Sequence, residues 1–198
     1  MKRTLTPQGK PFIFSSKNQK KVVEIISQYP VTRQASAILP LLDLAQRQAE
    51  GWLPQEAIEH VAELLKISSI RAYEIATFYT MFNLSPRGKY LLQVCTTTPC
   101  QLVGSDEILK VCNKIADVKQ GEISQDNLFT VVEVECLGAC VNAPVVQIND
   151  DYFEDLNAER MLNILNELKL GNKVASGSTI GRHGSAPYED SPQEKEGA

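Results

Sequence analysis

Four of the chain's five cysteines come as two pairs, and their spacing restricts the fold more than any other feature of the 198 residues. Cys95 and Cys100 enclose the four residues TTTP, Cys136 and Cys140 enclose the three residues LGA, and 35 residues separate the pairs. In a reducing compartment, closely spaced thiols serve metal or redox chemistry more often than a disulfide framework. Pairs this far apart act together only if the fold carries both loops to one place.

The residues around the pairs suggest how. Lys89 to Cys95 is a short apolar run suited to a strand. Ser105 is a good cap for a helix through about Ala116, with Ile108, Leu109, Cys112 and Ile115 on its buried side. Leu128 to Glu135, LFTVVEVE, reads as a second strand and Pro144 to Ile148 as a third, with Asn149-Asp150-Asp151 turning towards Tyr152-Phe153. Asn157 caps a last helix to Leu170, and Gly171 ends it. Strand, helix, strand, strand, helix is the order of a thioredoxin-like α/β layer. The first pair then follows the opening strand and the second follows the central one, so both loops lie at one end of the sheet.

Upstream the periodicity is helical. Ser16 to Tyr29 carries Val22, Val23, Ile25 and Ile26, and Pro30 closes it. Ser36 to Ala49 carries Ile38, Leu39, Leu42 and Ala45, with Pro40 tolerated near its start. A third helix follows Pro54 with Ile58, Val61, Ala62 and Leu65 on one face. A fourth, Ser69 to Tyr79, carries Ile70, Tyr73, Ile75, Ala76 and Phe78. Four such stripes bury one another in a small bundle.

Four thiolates hold either a structural zinc or an iron–sulfur cluster. Zinc sites favour two-residue gaps around one ion, whereas wider loops suit a larger object in which each iron takes one pair. Thr96, Thr97 and Thr98 offer hydroxyl and amide donors to an anionic group, and Gly138 lets backbone amides approach sulfur. The threonines read equally well as strand formers and the glycine as a turn residue. On spacing alone zinc stays open, while thiol–disulfide catalysis lacks its usual two-residue motif. Cys112, on an apolar helical face, reads as core.

The stretches ATFYTMFNLSPRGKYLLQVCTTTPC and EVECLGACVNAPVVQINDDYFEDL closely resemble the small iron–sulfur subunit of the flavoprotein fraction of NADH:ubiquinone oxidoreductase, respiratory complex I. The likeness extends upstream through FIFSSKNQKKVVEIISQYP and ILPLLDLAQRQAEGWLP, so it covers nearly all of residues 12–171. It implies an α+β chain, an N-terminal helical bundle over 1–84 and a thioredoxin-like [2Fe-2S] ferredoxin domain over 85–173, while residues 174–198, rich in Gly, Ser, Pro and charge, read from their composition as a flexible tail or an arm ordered only by a partner. It further implies one [2Fe-2S] cluster, one iron held by Cys95 and Cys100 and the other by Cys136 and Cys140. The cluster would exchange single electrons with the FMN of a large NADH-binding flavoprotein subunit, among other peripheral-arm subunits. Related subunits of NAD-linked hydrogenases or formate dehydrogenases are the nearest alternative. The family's tail carries a glutamate where this chain has Ala186, after Gly181-Arg182-His183-Gly184-Ser185 and before Pro187.

The rest of the sequence narrows the function by exclusion. A formal net charge of −4 argues against nucleic acid as the main partner. No apolar run reaches the roughly 18 residues of a membrane span. The start, MKRTLTPQGKPFIF, has no apolar stretch behind its basic residues, so no secretory signal is expected. The expected setting is the bacterial cytoplasm, peripheral to the inner membrane through the complex, or the matrix side of the mitochondrial inner membrane. The two histidines, His60 and His183, form no ligand pair, and Gly177, Gly181 and Gly184 follow no strand in the dinucleotide pattern. NADH and flavin are therefore expected on a partner subunit, with no catalytic residue here. Glu133 and Glu135 would lower a cluster's potential if they faced it, but their alternation with Val132 and Val134 reads as solvent exposure.

Overall fold

A computed structural model describes residues 4–182; the expected tail features at His183, Gly184, Ser185, Ala186 and Pro187 lie outside them. The chain divides into two compact units between Lys89 and Tyr90.

The first unit is helical. Helix α1 (Ser16–Ser27) is capped by Ser15, whose side chain accepts from the Asn18 N–H. A 3-10 segment, Val31–Ala37, leads into α2 (Ile38–Gln48), so the second helix begins later than its apolar pattern suggests and Pro40 falls in its first turn. Helices α3 (Gln55–Leu64) and α4 (Ser69–Phe78) follow, the latter capped by Ser68. Leu41, Leu42, Leu53, Ile58, Val61, Phe82 and Leu84 form the centre of the core. Buried Gln46 is satisfied: its amide donates to the Met81 carbonyl and accepts from the Asn83 N–H. His60 is half-buried against Phe12 and Phe14, as a rim residue would be. Of the apolar stripe expected on α4, Ala76 is buried and Tyr73 and Ile75 pack partly against the core, but Ile70 and Phe78 are 70% and 77% exposed and Ala72 takes their place on the buried face. Small side chains allow close helix approach, which turns the bulky ones outward. Val23 of α1 is exposed as well.

The second unit is a five-stranded mixed sheet with helices. Its strands are β1 (Tyr90–Cys95), β2 (Phe129–Val134), β3 (Val146–Ile148), β4 (Asp151–Glu154) and β5 (Gly177–Ser178), in the order β2-β1-β3-β4-β5. Strand β2 is thus an edge strand, where the sequence suggested a central one. It runs parallel to β1, Cys95 standing opposite Val134, and β3 runs antiparallel to β1. Parallel neighbours need a long crossover, here supplied by α5 (Thr98–Leu102) and α6 (Ser105–Ala116). Gly104, in the left-handed region at φ +101°, stands at the cap position of α6, so Ser105 is the first helical residue and is buried. Helix α7 (Ala158–Lys169) is capped as expected by Asn157, which accepts from the Arg160 N–H at 2.8 Å. Leu92, Ile108, Phe129, Val131, Val146, Met161 and Leu165 share one core between sheet and helices. The flexible tail expected from residue 174 does not begin there: β5 pairs with β4, and the chain stays attached through Arg182. A two-residue strand is too short to leave an apolar pattern. Among the described residues, no helix is long and apolar enough to cross a membrane.

Candidate metal centre

Because β1 and β2 are parallel and in register, the chain leaves both at the same pole of the sheet, and each exit carries a cysteine pair. Cys95 is the last residue of β1. Three residues later, at Thr98, α5 begins, with Pro99 in its first turn where a missing N–H is harmless, and Cys100 lies on that helix. The first pair therefore joins a strand end to a helix. Periodicity could not reveal a five-residue helix; the local signal was Thr97-Thr98-Pro99.

The second pair lies on the loop after β2. Gly138 there has φ +82°, and an added Cβ would meet nothing within 4 Å, so the residue serves the turn and not close packing. The turn aims the Gly138 N–H at Cys136 Sγ, 3.4 Å away. Cys140 opens a 3-10 turn that ends at Asn142. Asn142 is buried; its side-chain amide donates to Glu154 and its carbonyl accepts from the Asp155 N–H.

Donors converge on the sulfurs. Thr97 Oγ1 is 3.2 Å from Cys95 Sγ, and the N–H groups of Thr97 and Leu137 also donate to that sulfur. The Val145 N–H donates to the sulfur of Cys100. Leu137 belongs to the second loop and Cys95 to the first, so the loops meet at this contact. Tyr152 fixes Leu137 by donating its hydroxyl to the Leu137 carbonyl at 2.8 Å. Neither Leu137 nor Val145 was foreseeable from sequence, because every residue type but proline carries a backbone donor. Of the three threonines only Thr97 reaches sulfur; the Thr96 hydroxyl donates to exposed Glu133, and Thr98 is exposed at the helix start. Glu133 and Glu135 are both exposed.

Cys136 Sγ and Cys140 Sγ lie 3.4 Å apart, and the thiols of Cys95 and Cys100 are hydrogen-bonded to one another. Tetrahedral thiolate ligands of one metal, at about 2.3 Å each, stand about 3.8 Å apart, so the spacing within the second pair is close to that of two ligands of a single iron. Among the described residues no group of three or more His, Cys, Asp or Glu side chains is placed to hold one metal ion; the sulfurs come as two close pairs. Cys95 and Cys100 are buried with Ala139 and Val145, while Cys136 and Cys140 are exposed.

The thiols differ in acidity. Burial resists ionisation of Cys95, yet the Thr97 hydroxyl and the Thr97 and Leu137 amides together bring its pKa below the ordinary thiol value. Burial pushes Cys100 up to about 11, assisted by the hydrogen bond and negative charge of Cys95 and by the charge of Cys140. Cys140 is raised by its hydrogen bond to Cys136, then by burial and by the charges of Cys136 and Cys95. Cys100 and Cys140 thus resist losing their protons unless a cation compensates the charge. Cys112 is different: it is buried on α6, its thiol pushed up to about 12 by burial, and it packs in the sheet–helix core.

Fold and site together define a class: this chain belongs to the thioredoxin-like [2Fe-2S] ferredoxin family, whose sequence profile matches residues 22–169. It is 61% identical over 158 residues to an NADH-quinone oxidoreductase subunit of Rickettsia conorii, an alignment spanning 80% of this chain and 95% of that protein. It is 51% identical over 159 residues to the mitochondrial NADH dehydrogenase [ubiquinone] flavoprotein 2 of Dictyostelium discoideum, spanning 80% and 64%. The fold resembles part of an NAD+-reducing [NiFe]-hydrogenase solved in the air-oxidised state, with a TM-score of 0.58 and 20% identity, over 66% of this chain and 23% of that one. The residues present fit the cluster that gives the family its name: four thiols in two close pairs, with amide and hydroxyl donors on the buried pair.

Proposed function

We propose that this chain is the electron-transfer subunit of an NADH-quinone oxidoreductase. Cys95 and Cys100 hold one iron of a [2Fe-2S] cluster, and Cys136 and Cys140 hold the other. When bound, such a cluster accepts and releases one electron at a time. The partner that supplies electrons is the large flavoprotein subunit, which carries FMN and binds NADH; together they sit at the peripheral arm on the cytoplasmic side, or the matrix side in a mitochondrion. The observation that carries this reading is the meeting of the two loops at one sheet pole, where Cys95 and Cys100 of one pack against Leu137 and Ala139 of the other. The 61% identity to a protein named as a component of that oxidoreductase supports the assignment to this complex.

The chain's own residues do three things for that role. Parallel β1 and β2 fix the loop origins, so the ligand pairs are pre-placed and little ordering remains when metal arrives. The Thr97, Leu137, Val145 and Gly138 donors lower the energy of negative charge on sulfur, and such hydrogen bonds raise a cluster's potential. Burial of Cys95 and Cys100 excludes water from one side.

Combining the purified chain with the flavoprotein subunit tests this. NADH is expected to produce the reduced-cluster EPR signal only when that subunit is present. Failure of the two proteins to associate, or NADH-dependent reduction of this chain alone, would refute the partner assignment.

A further inference from the structure

Beyond the cysteine loops, Asp155 is a densely bonded polar residue of the second unit. It follows β4, is buried, and holds φ +54°. Its N–H donates to the Asn142 carbonyl at 2.8 Å, and its carbonyl accepts from the Thr179 hydroxyl and the Arg160 guanidinium. Its carboxylate accepts from the Ser178 hydroxyl at 2.6 Å and pairs with Arg182. The same Arg182 nitrogen donates to the Val141 carbonyl at 2.7 Å. Val141 is the residue after Cys140, in the 3-10 turn that presents that ligand. One guanidinium therefore links a buried carboxylate, the end of the described chain and the second ligand loop.

We propose that Gly177–Arg182 is a clasp for the cluster, with Arg182 and Asp155 as positioning residues that hold the Cys140 turn in its ligating geometry. This rests on Cys140 being a ligand. The turn needs such support because Cys136, Cys140 and Val141 are all exposed, so packing alone holds it weakly. Asn142 anchors one side of the turn through Glu154 and Asp155, and Arg182 anchors the carbonyl between Asn142 and Cys140. Strand β5 sets Arg182 in place by pairing Gly177 and Ser178 with Phe153 and Glu154. The clasp thus reads as a support behind the ligand, of the kind whose loss costs roughly 10–100-fold in metal affinity.

The test compares the full chain with Arg182→Ala, Arg182→Lys and Ser178→Ala, each reconstituted with iron and sulfide. Arg182 is half-exposed, so its replacement is mild for the fold, and circular dichroism of each metal-free protein checks that. The clasp predicts that Arg182→Ala releases its cluster to a chelator roughly 10-fold faster, with an altered EPR line shape and a displaced midpoint potential. Ser178→Ala should lie between it and wild type. Arg182→Lys keeps the charge but loses the planar fork, so it should not restore the wild-type release rate. Unchanged release and potential in Arg182→Ala overturn the clasp, as does full recovery by Arg182→Lys, which would make the effect one of charge alone. A wild-type chain that takes up no cluster overturns the ligand reading beneath it.

Discussion

Cys95 and Cys112 are both buried, yet Cys95 is met by the Thr97 hydroxyl and by amides of Thr97 and Leu137, whereas Cys112 meets only its own backbone amide, and that difference separates the proposed ligand from a core residue. Cys112→Ala removes one sulfur from the cluster of Ile108, Phe129 and Leu165. It should lower stability by about 1 kcal/mol and leave the visible absorption of the metal-loaded protein unchanged. Replacing Cys95 by Ala should abolish that absorption. Asp155 gives a pH signature. Burial opposes its ionisation, but Arg182 and Ser178 outweigh this and hold its pKa below the usual carboxylate value. A depressed folded-state pKa means that the pair's contribution to stability is complete above the unfolded value, about 3.9, and is lost as pH falls through the folded one. Urea melts of the metal-free protein between neutral and acid pH should show a shallower acid limb for Asp155→Asn.

Among the elements, the loop after β2 depends most on one residue. Gly138→Ala puts a Cβ on a left-handed backbone with open space around it, so strain and not collision sets the cost, about 1 kcal/mol. The Gly138 N–H should lose its aim at Cys136, and faster cluster release to a chelator at unchanged secondary structure would report this. Most elements were legible in the sequence. Asn157 at α7 and the apolar runs of β1 to β3 carry strong local signals because caps and pleats are local physics. What escaped depends on distant partners or on very few residues: α5 and β5 are too short to be periodic, and the edge position of β2 is set by pairing. The outward turn of Ile70 and Phe78 follows from tight packing at Ala72 and Ala76, which residue type alone does not announce. At the site, cysteine spacing identified the candidate ligands, but the donors at Leu137 and Val145 and the Arg182 link needed the folded backbone.

Across the whole molecule, the second unit works as a frame that spends two parallel strand ends on one pole and gives each a pair of thiols. A chain with four scattered core cysteines would have no reason to pack Leu137 and Ala139 against Cys95 and Cys100, or to bring Cys136 within 3.4 Å of Cys140. Zinc and a diiron centre make opposite demands on this frame, one ion for four sulfurs against one iron for each pair. Anaerobic purification followed by metal and sulfide analysis with EPR separates them most directly. The account predicts about two irons and two acid-labile sulfides per chain, EPR-silent as oxidised and giving a signal on one-electron reduction. One zinc per chain without sulfide would contradict it.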